Sequence, residues 1–348
     1  MTADETRRNA IKVVRTDREL ECPIIDARLR DEGFNLVLLP DGIAEDDLAR
    51  EVRDADLLLM CYTPITAKVI DGAARLKGII KYGVGIDAID IPAAISREIP
   101  VVNVPEYAER TVAEGAFALM IALAKRLIPL DRAMRADGWA WPEAKWLAND
   151  IAGKTVGLVG FGRIARSMAQ MAGRGLGARV IAYSPHTPDA VMQKAGVEPV
   201  TDLKHLMADS DFVSVHAVLN DETRHLIGAD EIAAIKPTGI LINTSRGAIV
   251  DEAALVDAIV QGRIGGAGLD VYSREPLTLD GHPLSPLFGR DNVILLPHLT
   301  FFTHEAMARL EEETLERCFE ALEGRPVQVK SPDPRLRAQR SGVRFIDT

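Results

Sequence analysis

The sequence predicts an α/β protein made of two doubly wound parallel sheets. Three observations carry this: short apolar runs alternate with helix-length segments in two series, the 348 residues exceed one ordinary core, and a glycine-rich turn opens the second series. The first series comprises Ile11-Lys12-Val13-Val14, Leu36-Val37-Leu38-Leu39, Asp56-Leu57-Leu58-Leu59-Met60, Gly78-Ile79-Ile80 and Val101-Val102-Asn103. The second comprises Thr155 to Val159, Arg179 to Tyr183, Phe212 to Val215, Gly239 to Ile242 and Val293 to Leu296. A long helix is expected over Thr111 to Leu127. Another is expected over Glu305 to Leu322, where Met307, Leu310, Leu315, Phe319 and Leu322 recur at helical spacing. Beyond Pro326 the chain is rich in Pro and Arg without periodicity, which predicts an extended or disordered arm.

The turn Gly160-Phe161-Gly162-Arg163-Ile164-Ala165 follows a β-branched strand. A strand that turns tightly into a helix leaves unpaired N–H groups and the positive end of a dipole facing any phosphate placed there. Gly160 permits the turn, Gly162 lacks the Cβ that would hold a pyrophosphate away, and small Ala165 lets helix pack on strand. At the end of the next strand, where a carboxylate would bind the ribose of NAD, Ser184 stands instead. No Arg follows at once to take the extra phosphate of NADP, so either cofactor fits this reading.

The formal net charge of −10 is dispersed, and no basic footprint for nucleic-acid phosphates is visible. The longest apolar run, Gly115 to Ala124, is too short to span a bilayer, and Met1 to Ala10 lacks the apolar stretch of a secretion signal. These observations predict a cytoplasmic chain with no membrane and no nucleic-acid partner. Cys22, Cys61 and Cys318 are odd in number and not in CxxC spacing, which argues against disulfides and against a metal site. Trp139, Trp141 and Trp146 read as anchors of an interdomain segment or of a dimer surface.

Five blocks occur in an informative order: Tyr82-Gly83-Val84-Gly85-Ile86-Asp87, the Gly160 turn, Asn243-Thr244-Ser245-Arg246-Gly247, Gly268-Leu269-Asp270-Val271 leading to Glu275-Pro276, and Pro297-His298. On these blocks the chain resembles the D-isomer-specific 2-hydroxyacid dehydrogenase family, over roughly residues 10 to 325. The resemblance implies a Rossmann cofactor domain inserted into a flavodoxin-like substrate domain. Residues 1–108 would begin the substrate domain, 109–297 would bind NAD or NADP, 298–330 would return as a C-terminal helix, and 331–348 would form the tail. It also implies a homodimer built mainly through the cofactor domains.

Chemistry supplies a separate reason for the polar residues. Moving a hydride from an alcohol carbon requires the hydroxyl proton to leave as well, and His298 suits that acid/base role. Glu275 would orient the ring and stabilise its cation. Arg246 would make a forked pair with the substrate carboxylate, a geometry that Lys reproduces poorly. Tyr82, Gly83, Val84 and Gly85 form the expected substrate loop, with backbone N–H groups holding the other side of the carboxylate and Tyr82 narrowing the cleft. Thr244 and Asp270 are expected beside nicotinamide, Asp270 accepting from its carboxamide. His216 either lines the cofactor groove or packs in the core. Each of Arg246, Glu275 and His298 alone has a bland reading as a turn or surface residue, and only their combination behind a dinucleotide turn selects the chemistry.

The expected partner is a small anionic 2-oxo or 2-hydroxy acid. Glyoxylate or hydroxypyruvate is favoured over phosphoglycerate, because no cluster of Lys and Arg beside Gly83 awaits a phosphate. Formate dehydrogenases have an amide where this chain has Glu275. A phosphite dehydrogenase, or a dinucleotide-sensing binding protein of corepressor type, stands as the alternative.

Overall fold

A computed structural model describes residues 11–346, so the reading of Met1 to Ala10 lies outside the described residues, as do the last two residues of the tail. The chain divides into two compact units, Met1–Ala108 with Thr303–Thr348, and Glu109–Phe302.

In the first unit, strands β1 (Lys12–Arg15), β2 (Asn35–Leu38), β3 (Leu57–Met60), β4 (Ile79–Lys81) and β5 (Val101–Asn103) form a parallel sheet in the order β2-β1-β3-β4-β5. Its central strand β3 is apolar without alternation, and all four of its residues are buried, as expected of a parallel strand covered on both faces. Helix α1 (Pro23–Asp31) begins on a proline, whose fixed φ suits the first helical position. Its leading N–H groups, those of Ile24 and Ile25, donate to Glu311 Oε2 at 2.7 and 3.0 Å. Glu311 lies on the returning helix His304–Leu322, which Thr303 caps by accepting from the Ala306 N–H. A carboxylate at a helix N-terminus is stabilised by the dipole, so the returning segment docks by charge as well as by its apolar stripe.

The tail differs from the sequence reading. Residues 331–346 are not an extended arm: they hold a short helix, Pro334–Arg337, and a strand, Val343–Phe345, which pairs in parallel with Val327–Val329. The composition misled because the stabilising contacts are distant in sequence. Gln339, buried at 5 % exposure, donates Nε2 to the Val101 carbonyl at 2.9 Å and accepts the Val101 N–H at 2.7 Å, completing the edge strand β5.

In the second unit, β6 (Thr155–Val159), β7 (Arg179–Tyr183), β8 (Glu198–Pro199), β9 (Phe212–Val215), β10 (Ile240–Asn243), β11 (Gly266–Leu269) and β12 (Val293–Leu295) form a parallel sheet ordered β12-β11-β10-β9-β6-β7-β8. The order reverses between β6 and β9, and in such sheets ligands bind beyond the carboxyl ends of the strands at that reversal. Strand β11 went unread in the sequence because Gly-Ala-Gly-Leu carries no β-branched residue; helix Glu109–Ala124 closes over it, with Leu119 and Leu123 against Gly268. The unit ends at Phe302, past the boundary at 297 that the sequence suggested, so His298 belongs to it.

Candidate active site

The sequence-predicted residues of the second unit share one sheet edge. The Gly160 turn follows β6, Ser184 follows β7, His216 follows β9, Thr244 and Arg246 follow β10, Asp270 and Glu275 follow β11, and His298 follows β12. Parallel strands send all their carboxyl ends to one side, so residues scattered over more than a hundred positions gather there.

Gly160 has φ +93°, and a Cβ there would lie 2.7 Å from the Ala217 nitrogen, so both the turn and the close approach to the end of β9 require glycine. At Gly162 nothing lies within 4 Å of the position a Cβ would take, which leaves open space before the helix that starts at Arg163. Phe161 is buried in the core, so only its backbone can face a ligand, and Ile164 packs against the same core. Arg163 pairs with Glu109 at 2.8 Å. Ser184 Oγ lies 2.9 Å from Thr187 Oγ1. The half-buried His216 ring takes a 2.9 Å hydrogen bond with Ser214 Oγ, and burial lowers its pKa to about 4, so it is neutral at pH 7.

The buried Thr244 Oγ1 has no hydrogen-bond partner among the described residues. An orphaned buried hydroxyl is destabilising unless something meets it, and together with the open face at Gly162 it fits a dinucleotide laid along this edge.

His298 Nδ1 lies 2.9 Å from Glu275 Oε2, while the other carboxylate oxygen accepts the Tyr272 N–H at 3.0 Å. Burial by itself would raise the Glu275 carboxyl. The hydrogen bond and charge of His298, the Tyr272 N–H and the field of Arg246 outweigh that and hold it below the ordinary carboxylate range. His298 has φ +59°, a left-handed conformation costing a non-glycine residue about 1–2 kcal/mol. The half-buried Arg246 donates Nη1 to the Ser245 carbonyl at 2.7 Å.

Sequence reasoning gave no role to one positioning residue, Asn243, and did not foresee the partners of Asp270. Asn243 accepts the Ser245 N–H at 3.0 Å and donates Nδ2 to the Arg246 carbonyl at 2.9 Å, so it shapes the turn that carries Arg246. Asp270 is buried, and its carboxylate accepts Leu299 N–H at 2.9 Å, Thr300 N–H at 3.1 Å and Thr300 Oγ1 at 2.5 Å. Its visible partners are therefore the two residues after His298, where the sequence suggested an acceptor for a carboxamide. The Asn-x-x-Arg spacing was the available signal for Asn243.

In the first unit, Tyr82 requires correction. Its side chain is wholly buried, its hydroxyl donates to the Thr16 carbonyl at 2.5 Å and its N–H to the Met60 carbonyl at 3.1 Å, so it neither narrows a cleft nor offers a donor. It fills the core under β1 because the end of β4 turns its ring inward. The following residues do reach the surface: Val84 is 45 % exposed. Lys81, buried beneath them, donates to the Cys61 carbonyl and Sγ.

Among the described residues no cluster of three or more His, Cys, Asp or Glu could hold a metal ion, and no helix is long and apolar enough to cross a membrane.

Residues 117–300 match the model of the D-isomer-specific 2-hydroxyacid dehydrogenase NAD-binding domain. A glyoxylate reductase of Korarchaeum cryptofilum is 39 % identical over 291 residues, covering 82 % of this chain and 86 % of that protein. Among solved structures, the D-lactate dehydrogenase of Aquifex aeolicus, complexed with NAD and lactic acid, superposes with a TM-score of 0.79 at 28 % identity, covering 90 % of this chain and 98 % of that one. An NADPH-dependent glyoxylate/hydroxypyruvate reductase of Sinorhizobium meliloti, in complex with NADP and malonate, gives 0.78 at 25 %, covering 91 % and 95 %. With the family model spanning more than half of the chain and a relative aligned over most of both proteins, the chain belongs to the D-isomer-specific 2-hydroxyacid dehydrogenases and is an NAD(P)-dependent oxidoreductase of 2-hydroxy acids.

Proposed function

We propose that the chain interconverts a short 2-oxo acid, of the glyoxylate or hydroxypyruvate type, and its 2-hydroxy acid, D where the carbon is chiral. The observation that carries this reading is the 2.9 Å contact between His298 Nδ1 and Glu275 Oε2 beside Arg246. Glu275 fixes one ring nitrogen, so the proton exchanged with the substrate oxygen travels through Nε2. The carboxylate stabilises the imidazolium that forms when the alcohol is deprotonated. Arg246 holds the substrate carboxylate and polarises the reacting carbonyl.

Bound NAD(P) supplies the hydride acceptor or donor. The N–H groups of Gly162 and of the following helix would hold the pyrophosphate, Ser184 the adenosine ribose and Thr244 the nicotinamide amide. Ser184 brings no carboxylate to repel a 2′-phosphate, which supports acceptance of both cofactors. The relative named glyoxylate reductase supports the small substrate. So does Lys81, which is committed to Cys61 instead of being offered to a phosphate.

A homodimer is part of the same reading. Leu127, Ile128, Met134, Trp139, Trp141 and Leu147, from 42 to 76 % exposed, lie within one stretch of sequence in the second unit, and so many exposed apolar side chains favour a partner surface. Three free, buried cysteines suit the reducing cytoplasm.

The test is NADH and NADPH oxidation against glyoxylate, hydroxypyruvate, pyruvate, phenylpyruvate and phosphohydroxypyruvate. Turnover highest with the first two supports the reading. Cofactor binding without turnover of any oxo acid overturns it in favour of a dinucleotide-sensing protein.

A further inference from the structure

The loop after β4 is fastened by its carbonyls. The Gly83 carbonyl accepts the Val104 N–H at 3.1 Å, and the Val84 carbonyl accepts Asn103 Nδ2 at 2.6 Å. In a planar trans peptide the C=O and the N–H point in opposite directions. Pulling the Gly83 carbonyl inward therefore turns the Val84 N–H outward, and pulling the Val84 carbonyl inward does the same for the Gly85 N–H. Neither N–H has an acceptor among the described residues, and both belong to residues that reach solvent. Gly83 sits at φ +151°, and a Cβ there would lie 3.0 Å from Lys81 Nζ, so the backbone is also supported from below.

Asn103 is unusual in what it gives up. It is 3 % exposed, and its Oδ1 is buried without a hydrogen-bond partner. A flipped amide would set oxygen against the Val84 carbonyl, so the donor is fixed on that side. An orphaned buried acceptor is destabilising, and an apolar residue on β5 would avoid it. The side chain earns its place through the one donor that aims the loop.

We infer that Asn103 is a positioning residue for substrate binding: with the Val104 N–H it turns the Val84 and Gly85 N–H groups into a paired cradle for the carboxylate of the oxo acid. This rests on the proposed reduction of 2-oxo acids. It adds that the affinity for the carboxylate is set on β5, by a side chain that never touches the substrate.

The experiment compares the full-length wild type with Asn103→Asp, which is isosteric and sets an oxygen against the Val84 carbonyl, and with Asn103→Ala, which removes donor and orphaned acceptor together. The readings are kcat and KM for the best oxo acid, inhibition by oxamate, the dissociation constant of NADH from its fluorescence, and the thermal midpoint. The expected result for both variants is a rise of about ten- to a hundredfold in KM and in the oxamate inhibition constant, the range for losing hydrogen bonds to a charged group. NADH affinity stays at the wild-type value, and the Asn103→Ala midpoint stays near it. Unchanged KM and oxamate inhibition in a folded Asn103→Ala protein would overturn the inference while leaving the reductase reading intact. A wild type that turns over no oxo acid and does not bind oxamate would overturn that reading, and this inference with it.

Discussion

Asp270 holds Thr300 twice, through its backbone N–H at 3.1 Å and its hydroxyl at 2.5 Å, and so fixes the chain two residues beyond His298. That grip, with the Leu299 N–H on the other oxygen, offsets the cost of the left-handed backbone at His298. Asp270→Ala leaves three donors without their acceptor. It should destabilise the protein by about 3 kcal/mol and lower kcat by more than tenfold, measured by denaturant unfolding and by initial rates. A variant with full kcat would show that His298 holds its place without this anchor.

Glu275→Gln keeps the shape beside His298 and removes the charge. Because the native carboxyl titrates below its ordinary range, the stability it contributes is fully present above the unfolded value of about 4.3 and is lost as pH falls through the lower native value. The melting curves of wild type and variant should therefore differ most at neutral pH and converge in acid. In the reduction direction the variant's kcat should fall about tenfold or more, since the ring that gives the proton loses its charged partner. An unchanged kcat would remove Glu275 from the proton chemistry.

His216 contributes in the same direction, over a higher range of pH. Its native value of about 4 lies below the unfolded value of about 6.5, so the unfolded state binds the proton first. Stability then declines as pH falls below about 6.5 and levels off near 4. Replacement by Gln should flatten that part of the curve while leaving the neutral pH–rate profile unchanged. A shift in the neutral profile would mean that this ring, too, exchanges a proton in turnover.

Ser184→Asp places a carboxylate at the end of β7. The ratio of kcat/KM for NADH over NADPH should rise about tenfold or more, because the new charge accepts from ribose and repels the 2′-phosphate. An unchanged ratio would indicate that the ribose lies away from residue 184.

Gly160→Ala meets two obstacles, φ +93° and the Ala217 nitrogen 2.7 Å from the new Cβ. Loss of NADH binding together with a lowered melting midpoint is expected; tight NADH binding by this variant would move the cofactor away from the turn.

The sequence disclosed the two sheets well because parallel strands buried on both faces leave continuous apolar runs, as at Leu57–Met60. It singled out Arg246, Glu275 and His298 because each stands in a short block, and the structure sets each of those blocks after a strand of the second sheet. Strand Gly266–Leu269 was hidden by its small residues, whose value lies in letting a helix come close. Tyr82 was misread because a motif tells which residues neighbour the loop and not which way a ring turns. Asn103 carried no signal at all, since its effect is relayed through the direction of peptide planes. The tail was misjudged from composition, which does not register a single glutamine paired with Val101 from far along the chain.

That glutamine has a consequence for solubility. Strand β5 closes one side of its sheet, and a bare margin of N–H and C=O groups is a template on which another chain can polymerise. By giving Val101 both a donor and an acceptor from one side chain, Gln339 occupies part of that template. The segment that carries it thus shields a strand margin that would otherwise invite a foreign chain, a task separate from chemistry.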